Sequence, residues 1–204
     1  MSDGTHIRGA STRVKELIPV TNQTVPFDRS YWVVPGKLLA GCYPGAVKAD
    51  EARAKLAGLV GAGIRTFVNL MEEAETDNGG RQFVPYEPTL HTVAEVQGHK
   101  VSVLRIPIHD LDVPLPGVMG EILARISSSI LSGRPVFVHC WGGRGRTGTV
   151  VGCYMLQQGL ATGSSVLGQI RGLRSKMPEP YSQQTSPETS AQQKFVLDWL
   201  SRPR

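Results

Sequence analysis

Residues 136–151 read VFVHCWGGRGRTGTVV, and this stretch combines three different patterns. It begins with a short apolar run, passes through a segment rich in glycine and arginine, and ends in residues that continue at helical spacing. A short, wholly apolar run is typical of a strand at the centre of a parallel sheet that is covered on both faces. Ligands of such sheets bind beyond the carboxyl ends of the strands. The stretch therefore predicts a strand, a ligand-binding loop that begins at Cys140, and a helix.

The remainder of the chain alternates strand patterns with helical patterns. Strands are predicted in YWVV and KLLAG on either side of the turn Pro35-Gly36, in RTFVNL at 65–70 and in VSVLRIPI at 101–108. Helical spacing predicts helices at 50–63 with Asp50 as N-cap, at 117–133, at about 164–175 and at 187–201. For the last helix, Ser186 is the expected N-cap and Pro187 the first helical residue. The alternation predicts an α/β fold with a mostly parallel central sheet flanked by helices.

The length and apolar content of the chain suit one folded domain. Of its 204 residues, 40% are hydrophobic, which is enough for a sizeable core. Residues 1–25 lack periodicity and are predicted to be a flexible N-terminal arm. We therefore expect a single domain over residues 26–204. No stretch approaches the roughly 20 apolar residues of a transmembrane helix, so no membrane span is predicted.

Charge and cysteine content narrow the function classes. The formal net charge is +5 and the sequence pI is near 9.3, which favours anionic partners. No basic run is dense enough for a nucleic-acid tail, so nucleic acid is not an expected partner. The three cysteines form no C-x-x-C pair, which argues against a disulfide framework and against a structural zinc site. We therefore expect a cytoplasmic protein without metal or other cofactor, and the sequence indicates no particular oligomeric state.

The loop after the central strand has the composition of an anion site. Gly142, Gly143 and Gly145 let the backbone curl so that successive N–H groups point inward. The helix that begins near Arg146 adds the positive end of its dipole at the same place, and Arg146 offers a planar fork to two phosphate oxygens. The same positive field favours the thiolate form of Cys140. The loop is therefore predicted to bind phosphate and to activate a nucleophile.

Three segments together resemble a known enzyme superfamily. HCWGGRGRT, residues 139–147, resembles the H-C-x-x-G-x-x-R-[ST] signature of the cysteine-dependent protein tyrosine and dual-specificity phosphatases. LRIPIHDLDVP, residues 104–114, is similar to the segment that carries the general acid of that superfamily in the form P-x-x-D. SPETSAQQKFVLDW, residues 186–199, resembles the C-terminal segment of the dual-specificity branch related to the cyclin-dependent kinase inhibitor-associated phosphatase and its bacterial relatives. The resemblance extends over about residues 30–200 and is specific at 107–112 and 138–149.

The resemblance implies a catalytic role for four residues. Cys140 would be the nucleophile that attacks phosphorus and forms a cysteinyl-phosphate. Arg146 and the loop amides would hold the equatorial oxygens, where charge is found in a loose phosphoryl-transfer transition state. Asp110 would protonate the leaving oxygen and then accept a proton from the attacking water. Thr147 would donate a hydrogen bond to the sulfur and ease its departure, or it is a plain residue of the first helical turn.

Four further residues are expected to support this chemistry. His139 is implied as a structural partner that fixes the backbone of the loop. Gln192 resembles the water-positioning glutamine of the superfamily, with a solvated helix position as an equal alternative. Trp141 is expected either at the wall of the site or in the core. Arg144 is expected either at the rim of the substrate pocket or as a solvated charge.

Several other residues have open or purely structural interpretations. Asp112 is the alternative general acid, because HDLDVP offers two carboxylates. Cys42 is an open candidate for a redox partner of Cys140, although nothing in the spacing supports it. Cys153 follows the loop among apolar residues and is expected in the core. The glutamates within residues 72–75 are expected to form a run at the surface.

The predicted function is a phosphoprotein phosphatase that acts on phosphotyrosine and on phosphoserine or phosphothreonine. The alternative is a phosphoinositide or inositol-phosphate phosphatase, for which Arg144 would be the extra basic residue of the loop. A rhodanese-like sulfurtransferase is less favoured, because it lacks an aspartate acid supplied from elsewhere in the chain. A non-catalytic phosphate-binding module is also less favoured, because such modules typically lose the cysteine, the arginine or the acid. A Walker-type nucleotide loop would need a lysine where Arg146 stands.

Overall fold

The structure, a computed structural model, describes residues 24–201. Nearly all of the predicted N-terminal arm lies outside the described residues. The predicted α/β class is confirmed, because a five-stranded sheet lies between two groups of helices. No helix within residues 24–201 is both long enough and apolar enough to cross a membrane.

The sheet has the strand order β1-β2-β5-β3-β4. The strands are β1 (Ser30–Val34), β2 (Leu38–Gly41), β3 (Thr66–Asn69), β4 (Ser102–Arg105) and β5 (Val136–His139). Only the β1–β2 pair is antiparallel among the pairs of this sheet, and the pairs β2–β5, β5–β3 and β3–β4 are parallel. The apolar run at residues 136–139 is therefore the central strand, as predicted, and each of its residues is fully buried.

Within residues 24–201, six α-helices cover the two faces of the sheet. They are α1 (Ala49–Gly61), α2 (Glu87–Val96), α3 (Pro116–Leu131), α4 (Gly145–Gln157), α5 (Val166–Arg174) and α6 (Ser190–Leu197), and a 3₁₀ turn follows at Trp199–Ser201. Side chains alternate along β5, so Phe137 packs with α1 and α2, whereas Val136 and Val138 pack with α3 and α4. Cys140 continues the second series, on the α4 side of the sheet.

Two predicted helix starts are wrong, and tertiary contacts explain the second. Helix α1 has Lys48 at its N-cap, and Asp50 lies in its first turn, where a carboxylate favours the helix dipole. Helix α6 starts at Ser190, directly after its N-cap Thr189. Thr189 forms a capping box with Gln192. Ser186 is not a cap, because its hydroxyl donates to the carbonyl of Arg144 at 2.8 Å. The 186–189 segment is thus shaped by its contact with the loop before α4.

Candidate active site

The cysteine loop, residues 140–146, leaves the carboxyl end of β5 and enters α4. It lies directly against the end of β2. Gly143 has φ +66°, and a Cβ added there would lie 2.4 Å from the carbonyl carbon of Gly41 and 2.5 Å from the amide nitrogen of Cys42. Both the left-handed backbone and the close approach therefore require glycine at position 143. The loop is curled tightly because the neighbouring strand leaves no room for a side chain.

Every carbonyl from residue 140 to residue 144 accepts a hydrogen bond from outside the loop. The donors are, in chain order, the His139 ring for Cys140, the Tyr43 amide for Trp141, Arg29 for Gly142, Arg174 for Gly143 and the Ser186 hydroxyl for Arg144, at 2.7–3.2 Å. Within residues 24–201, the amide N–H groups of residues 141–146 have no acceptor of their own. A run of amide donors without partners at a helix start is the arrangement that binds tetrahedral anions.

Cys140 is almost fully buried, with 3% of its surface exposed. The hydroxyl of Thr147, in the first turn of α4, donates to its sulfur at 3.1 Å. A hydrogen-bond donor and a helix N-terminus both favour a negative charge on sulfur. The structure thus brings Cys140 and Thr147 together as the resemblance implies.

The guanidinium of Arg146 is buried and is held by three acceptors. Its two terminal nitrogens donate to both oxygens of Glu75 at 2.6 and 2.7 Å, and one of them also donates to the Ile108 carbonyl at 3.1 Å. Nη2 forms an ion pair with Asp110 at 2.8 Å. Burial lowers the pKa of Arg146, but the hydrogen bonds that it donates to Glu75 and the charges of Cys140, Glu75 and Asp110 raise it above its ordinary value. Arg146 therefore remains a cation.

Glu75 was predicted to lie in a surface run of glutamates, and this prediction is wrong. Its side chain is 9% exposed, and both of its oxygens are bound by Arg146. A two-pronged carboxylate contact fixes the plane of a guanidinium. Glu75 therefore orients Arg146. The run of glutamates offers no signal that separates Glu75 from its neighbours, because the distinction arises where the chain returns to the loop.

The structure distinguishes the two candidate acids by their contacts. Asp110 is half-exposed and faces Arg146. The carboxylate of Asp112 accepts from the backbone N–H of Val113 at 2.7 Å, as a turn-forming aspartate does. Leu111 between them has φ +62°, a left-handed conformation that is uncommon for a leucine. Of the two carboxylates, that of Asp110 contacts the cysteine loop, through its ion pair with Arg146.

His139 lies fully buried on the opposite side of the sheet from Cys140. Burial is the main reason that the pKa of His139 falls from 6.5 to about 3, so the ring is neutral. Its Nδ1 lies 3.2 Å from the Cys140 carbonyl, which can only accept, and its Nε2 lies 2.9 Å from the Tyr86 hydroxyl. The proton is therefore on Nδ1, and Tyr86 donates to Nε2. His139 supports the loop backbone in this structure, and Tyr86 is a partner that the sequence did not indicate.

For Arg144 and for Gln192, the structure contradicts the solvated one of the two predicted positions. The Arg144 side chain is held by the Thr185 carbonyl and the Glu188 carboxylate, both at 2.8 Å, so it is not a solvated charge, and its place at the pocket rim stays a prediction. Gln192 is fully buried, so the solvated helix position is wrong. Its Oε1 accepts from two backbone amides at the start of α6, and its Nε2 donates to the Asp112 carbonyl at 3.0 Å. Gln192 thus connects α6 to the segment that carries Asp110.

The two other cysteines are both buried. Cys42 follows β2 as Cys140 follows β5, in neighbouring parallel strands whose last residues, Gly41 and His139, are in register. Burial raises the pKa of the Cys42 thiol. Cys153 lies in the core on α4, as predicted.

A groove of about 680 Å³ adjoins the cysteine loop on the side of Trp141. The ring of Trp141 packs edge-on against Phe83 at 5.7 Å, and Phe83 lies 5.0 Å from Tyr43. Lys55 and Arg29 also line the groove. Trp141 is thus a wall of this groove, one of the two positions expected from the sequence.

Two arginines that contact the loop were missed by the sequence analysis. Arg174, at the end of α5, is 1% exposed, and Arg29 precedes β1. Neither belongs to a motif, and each lies far along the chain from the carbonyl that it binds. No local pattern could have assigned them to the site.

Comparison with known proteins agrees with this geometry. Residues 27–203 match the family model described as a Swiss Army Knife protein, DSP-PTPase phosphatase domain. The chain is 32% identical over 103 residues to the Methanocaldococcus jannaschii protein MJECL20, which covers 50% of this chain and 63% of that protein. It is 32% identical over 95 residues to the phosphatidylglycerophosphate phosphatase PTPMT2 of Arabidopsis thaliana, which covers 46% of this chain and 41% of that protein.

Solved structures share the fold. Kinase associated phosphatase, with its catalytic-site cysteine replaced by serine, superimposes with a TM-score of 0.65 at 16% identity, over 88% of this chain and 97% of that chain. The match to the curated relatives spans less than two thirds of their own length.

Proposed function

The chain belongs to the DSP-PTPase phosphatase domain family, and from this premise we propose that it hydrolyses phosphomonoesters through a cysteinyl-phosphate on Cys140, with residues 26–204 forming one phosphatase domain. One observation carries the mechanism. The sulfur of Cys140 accepts a hydrogen bond from the Thr147 hydroxyl at the base of the cysteine loop. The carbonyls of residues 140–144 are bound by donors outside the loop, so the loop amides are left to bind an anion. Arg146 borders the same space, with its Nε–H unpartnered among the described residues.

In the first step, the Cys140 thiolate attacks phosphorus and the phosphoryl group moves to sulfur. The amides of the cysteine loop and the fork of Arg146 hold the three equatorial oxygens, where the transition state carries its charge. Asp110 gives its proton to the departing oxygen, so that the leaving group departs as a neutral alcohol.

In the second step, water attacks the cysteinyl-phosphate and the sulfur leaves as a thiolate. Asp110, now a carboxylate, accepts a proton from the attacking water. The hydroxyl of Thr147 donates to the sulfur at 3.1 Å and stabilises the charge that returns to it. Inorganic phosphate is released and the thiolate is restored.

For the substrate, we propose a phosphorylated protein, with dual specificity for phosphotyrosine and phosphoserine or phosphothreonine. The groove beside Trp141 supports this proposal, because its aromatic wall and its basic residues Arg29, Lys55 and Arg81 suit the side chains that flank a phosphorylated residue. Arg144 does not supply a cation for the further phosphates of an inositol ring, because Glu188 neutralises it at 2.8 Å.

A phospholipid phosphatase is the second candidate. It is favoured by the 32% identity to PTPMT2, whose name gives phosphatidylglycerophosphate as the substrate of that protein. The apolar residues of the groove would suit the acyl portion of such a substrate equally well.

Rapid acid quenching with a ³²P-labelled substrate tests the mechanism. We expect label bound to the enzyme as S-phosphocysteine in the wild type and none in Cys140→Ser. Absence of labelled enzyme throughout a productive turnover would exclude the covalent route.

A panel of substrates tests the class. Phosphotyrosyl and phosphoseryl peptides should be hydrolysed faster, in kcat/KM, than phosphatidylglycerophosphate or phosphoinositides in mixed micelles. A higher kcat/KM on either lipid than on every peptide would replace the protein substrate with a lipid.

A further inference from the structure

Two guanidinium groups from outside the site bind consecutive carbonyls of the cysteine loop. Arg174 Nη1 donates to the Gly143 carbonyl at 2.7 Å, and Arg29 Nη2 donates to the Gly142 carbonyl at 3.2 Å. We propose that Arg174 and Arg29 are positioning residues that turn the amide N–H groups of residues 143 and 144 toward the bound phosphoryl group. The proposal deepens the proposed function and rests on it for the identity of the anion.

The geometry of the peptide group gives the physical reason. A carbonyl and the N–H of the following residue belong to one plane and point in opposite directions. A donor that holds the Gly143 carbonyl outside the loop therefore holds the Arg144 N–H inside it. In the same way, the bond to the Gly142 carbonyl directs the N–H of Gly143. Glycine alone does not keep these peptide groups from rotating, because it is the most permissive residue in the backbone.

Arg174 has the burial and charge that this role requires. It is 1% exposed, and within residues 24–201 no carboxylate forms an ion pair with it. It donates to the carbonyls of Gly143 and Tyr181, at 2.7 and 3.1 Å, and its guanidinium carbon lies 5.8 Å from the centre of the uncharged Tyr31 ring. Carbonyl oxygens carry no net charge, so they do not neutralise the guanidinium, and its positive charge acts on the neighbouring anion site. Its field therefore favours both the thiolate and the phosphoryl group above it.

Tyr181 joins the two arginines into one unit. The guanidinium carbon of Arg29 lies 4.0 Å from the centre of the Tyr181 ring, a cation–π contact, while the backbone carbonyl of the same residue accepts from Arg174. The segment before β1 and the end of α5 therefore hold the two peptide groups, and the segment that follows α5 contacts both arginines.

The experiment uses the full chain and three variants. Arg174→Met removes the hydrogen-bond donors and the charge and keeps a long side chain. Arg174→Lys keeps the charge on a single donor nitrogen. Arg29→Met removes the second contact from a half-buried position, where folding is less at risk. Arg171→Met is the matched control, because Arg171 lies on the same helix and is exposed.

For each folded variant, kcat and KM are measured with p-nitrophenyl phosphate, and tungstate affinity is measured by calorimetry. We expect Arg174→Met to lower kcat/KM and tungstate affinity by about 10²-fold, Arg174→Lys to recover part of both, and Arg29→Met to lower both by about 3- to 10-fold. Arg171→Met should match the wild type.

A purely structural role predicts a different result. The unfolding temperature of Arg174→Met and Arg29→Met would fall, while kcat/KM and tungstate affinity of the folded protein would equal those of the wild type, and this outcome would overturn the proposal. If Arg174→Met does not fold, Arg174→Lys and Arg29→Met decide by the same criterion. If the wild type binds tungstate but hydrolyses no phosphomonoester, the proposed function fails, and the tungstate affinities still test the two arginines.

Discussion

Arg146 contacts two carboxylates, and their roles differ. Glu75 binds both terminal nitrogens and is nearly buried, whereas Asp110 contacts only Nη2 from a half-exposed position. Nε–H has no partner among the described residues. A phosphoryl group that forks onto Nε and Nη2 would therefore take the place of Asp110 and leave Glu75 in position. We expect substrate binding to release the Asp110 side chain from its ion pair and make it available as an acid.

Asp110→Asn tests both parts of this exchange. Turnover should fall by about 10²- to 10⁴-fold, because an amide cannot donate a proton to the leaving oxygen. Tungstate should bind about 2- to 5-fold more tightly, because no carboxylate competes for Arg146 and a half-exposed ion pair contributes at most about 1 kcal/mol. Both quantities are obtained from kcat with p-nitrophenyl phosphate and from competitive inhibition.

Asp112→Asn is the matched control for that experiment. The carboxylate of Asp112 accepts from the amide of Val113, a bond that the asparagine carbonyl can also accept. Turnover of Asp112→Asn should remain within about 3-fold of the wild type. A large loss in this variant with normal turnover in Asp110→Asn would transfer the acid role to Asp112.

Among the secondary-structure elements, the contact between the cysteine loop and β2 constrains the site most tightly. Gly143 combines a positive φ with a neighbouring backbone that leaves no room for a methyl group. At Gly142, the preceding residue, an added Cβ would have no heavy atom of the described part of the chain within 4 Å, and the φ of Gly142 is not in the left-handed range. The two glycines are equivalent in the sequence motif, but only position 143 requires a residue without a side chain.

Gly143→Ala should therefore destabilise the fold, and Gly142→Ala should not. We expect the free energy of unfolding to fall by about 2–4 kcal/mol in Gly143→Ala, because the loop must move away from β2 and the left-handed backbone is strained. In Gly142→Ala the change should stay within about 0.5 kcal/mol. Urea denaturation of both variants provides the measurement, and equal stability of the two would contradict the packing at Gly143.

Helix α6 shows how one element supports another. Gln192, the partner of the N-cap in the capping box, also donates to the Asp112 carbonyl. One amide side chain therefore holds both the start of the helix and the segment that carries the candidate acid. A glycine at position 145 allows this approach, since an added Cβ would lie 3.0 Å from Gln192 Oε1. The position of α6 thereby contributes to the position of Asp110.

For the molecule as a whole, burial of a neutral histidine links stability to pH. The pKa of His139 is lowered from 6.5 to about 3 in the folded chain, mainly by burial. Between these values the unfolded chain binds the proton and the folded chain does not, so stability is present above pH 6.5 and is lost as the pH falls. The loss approaches about 1.4 kcal/mol per pH unit.

His139→Gln should remove this part of the pH dependence. Between pH 7 and pH 5, the free energy of unfolding of the wild type should fall by about 2 kcal/mol more than that of His139→Gln. His99→Gln is the control, because His99 is exposed and its replacement should leave the pH dependence of the wild type unchanged. Urea midpoints at both pH values measure the difference. Parallel curves for the wild type and His139→Gln would rule out a buried neutral imidazole.

Local patterns were sufficient for the central strand, the loop and the following helix. The apolar run at 136–139, the glycines of the loop and the helical spacing after Arg146 act on neighbouring residues, so each could be recognised within one short segment. The alternation of such segments also predicted the α/β class and the parallel sheet. The start of α6 was mispredicted because Ser186, a good N-cap in isolation, bonds to the loop instead.

The amino-acid order alone thus established the fold class and placed Cys140 and Arg146 in one loop that we propose binds an anion, because strand periodicity and backbone curling are short-range effects. The partners of that loop emerged only from the folded chain. Glu75 is 71 residues from Arg146, and Arg29 is 113 residues from Gly142. Which distant side chain reaches a given carbonyl or guanidinium depends on how strands and helices pack in three dimensions, and no local pattern records that arrangement.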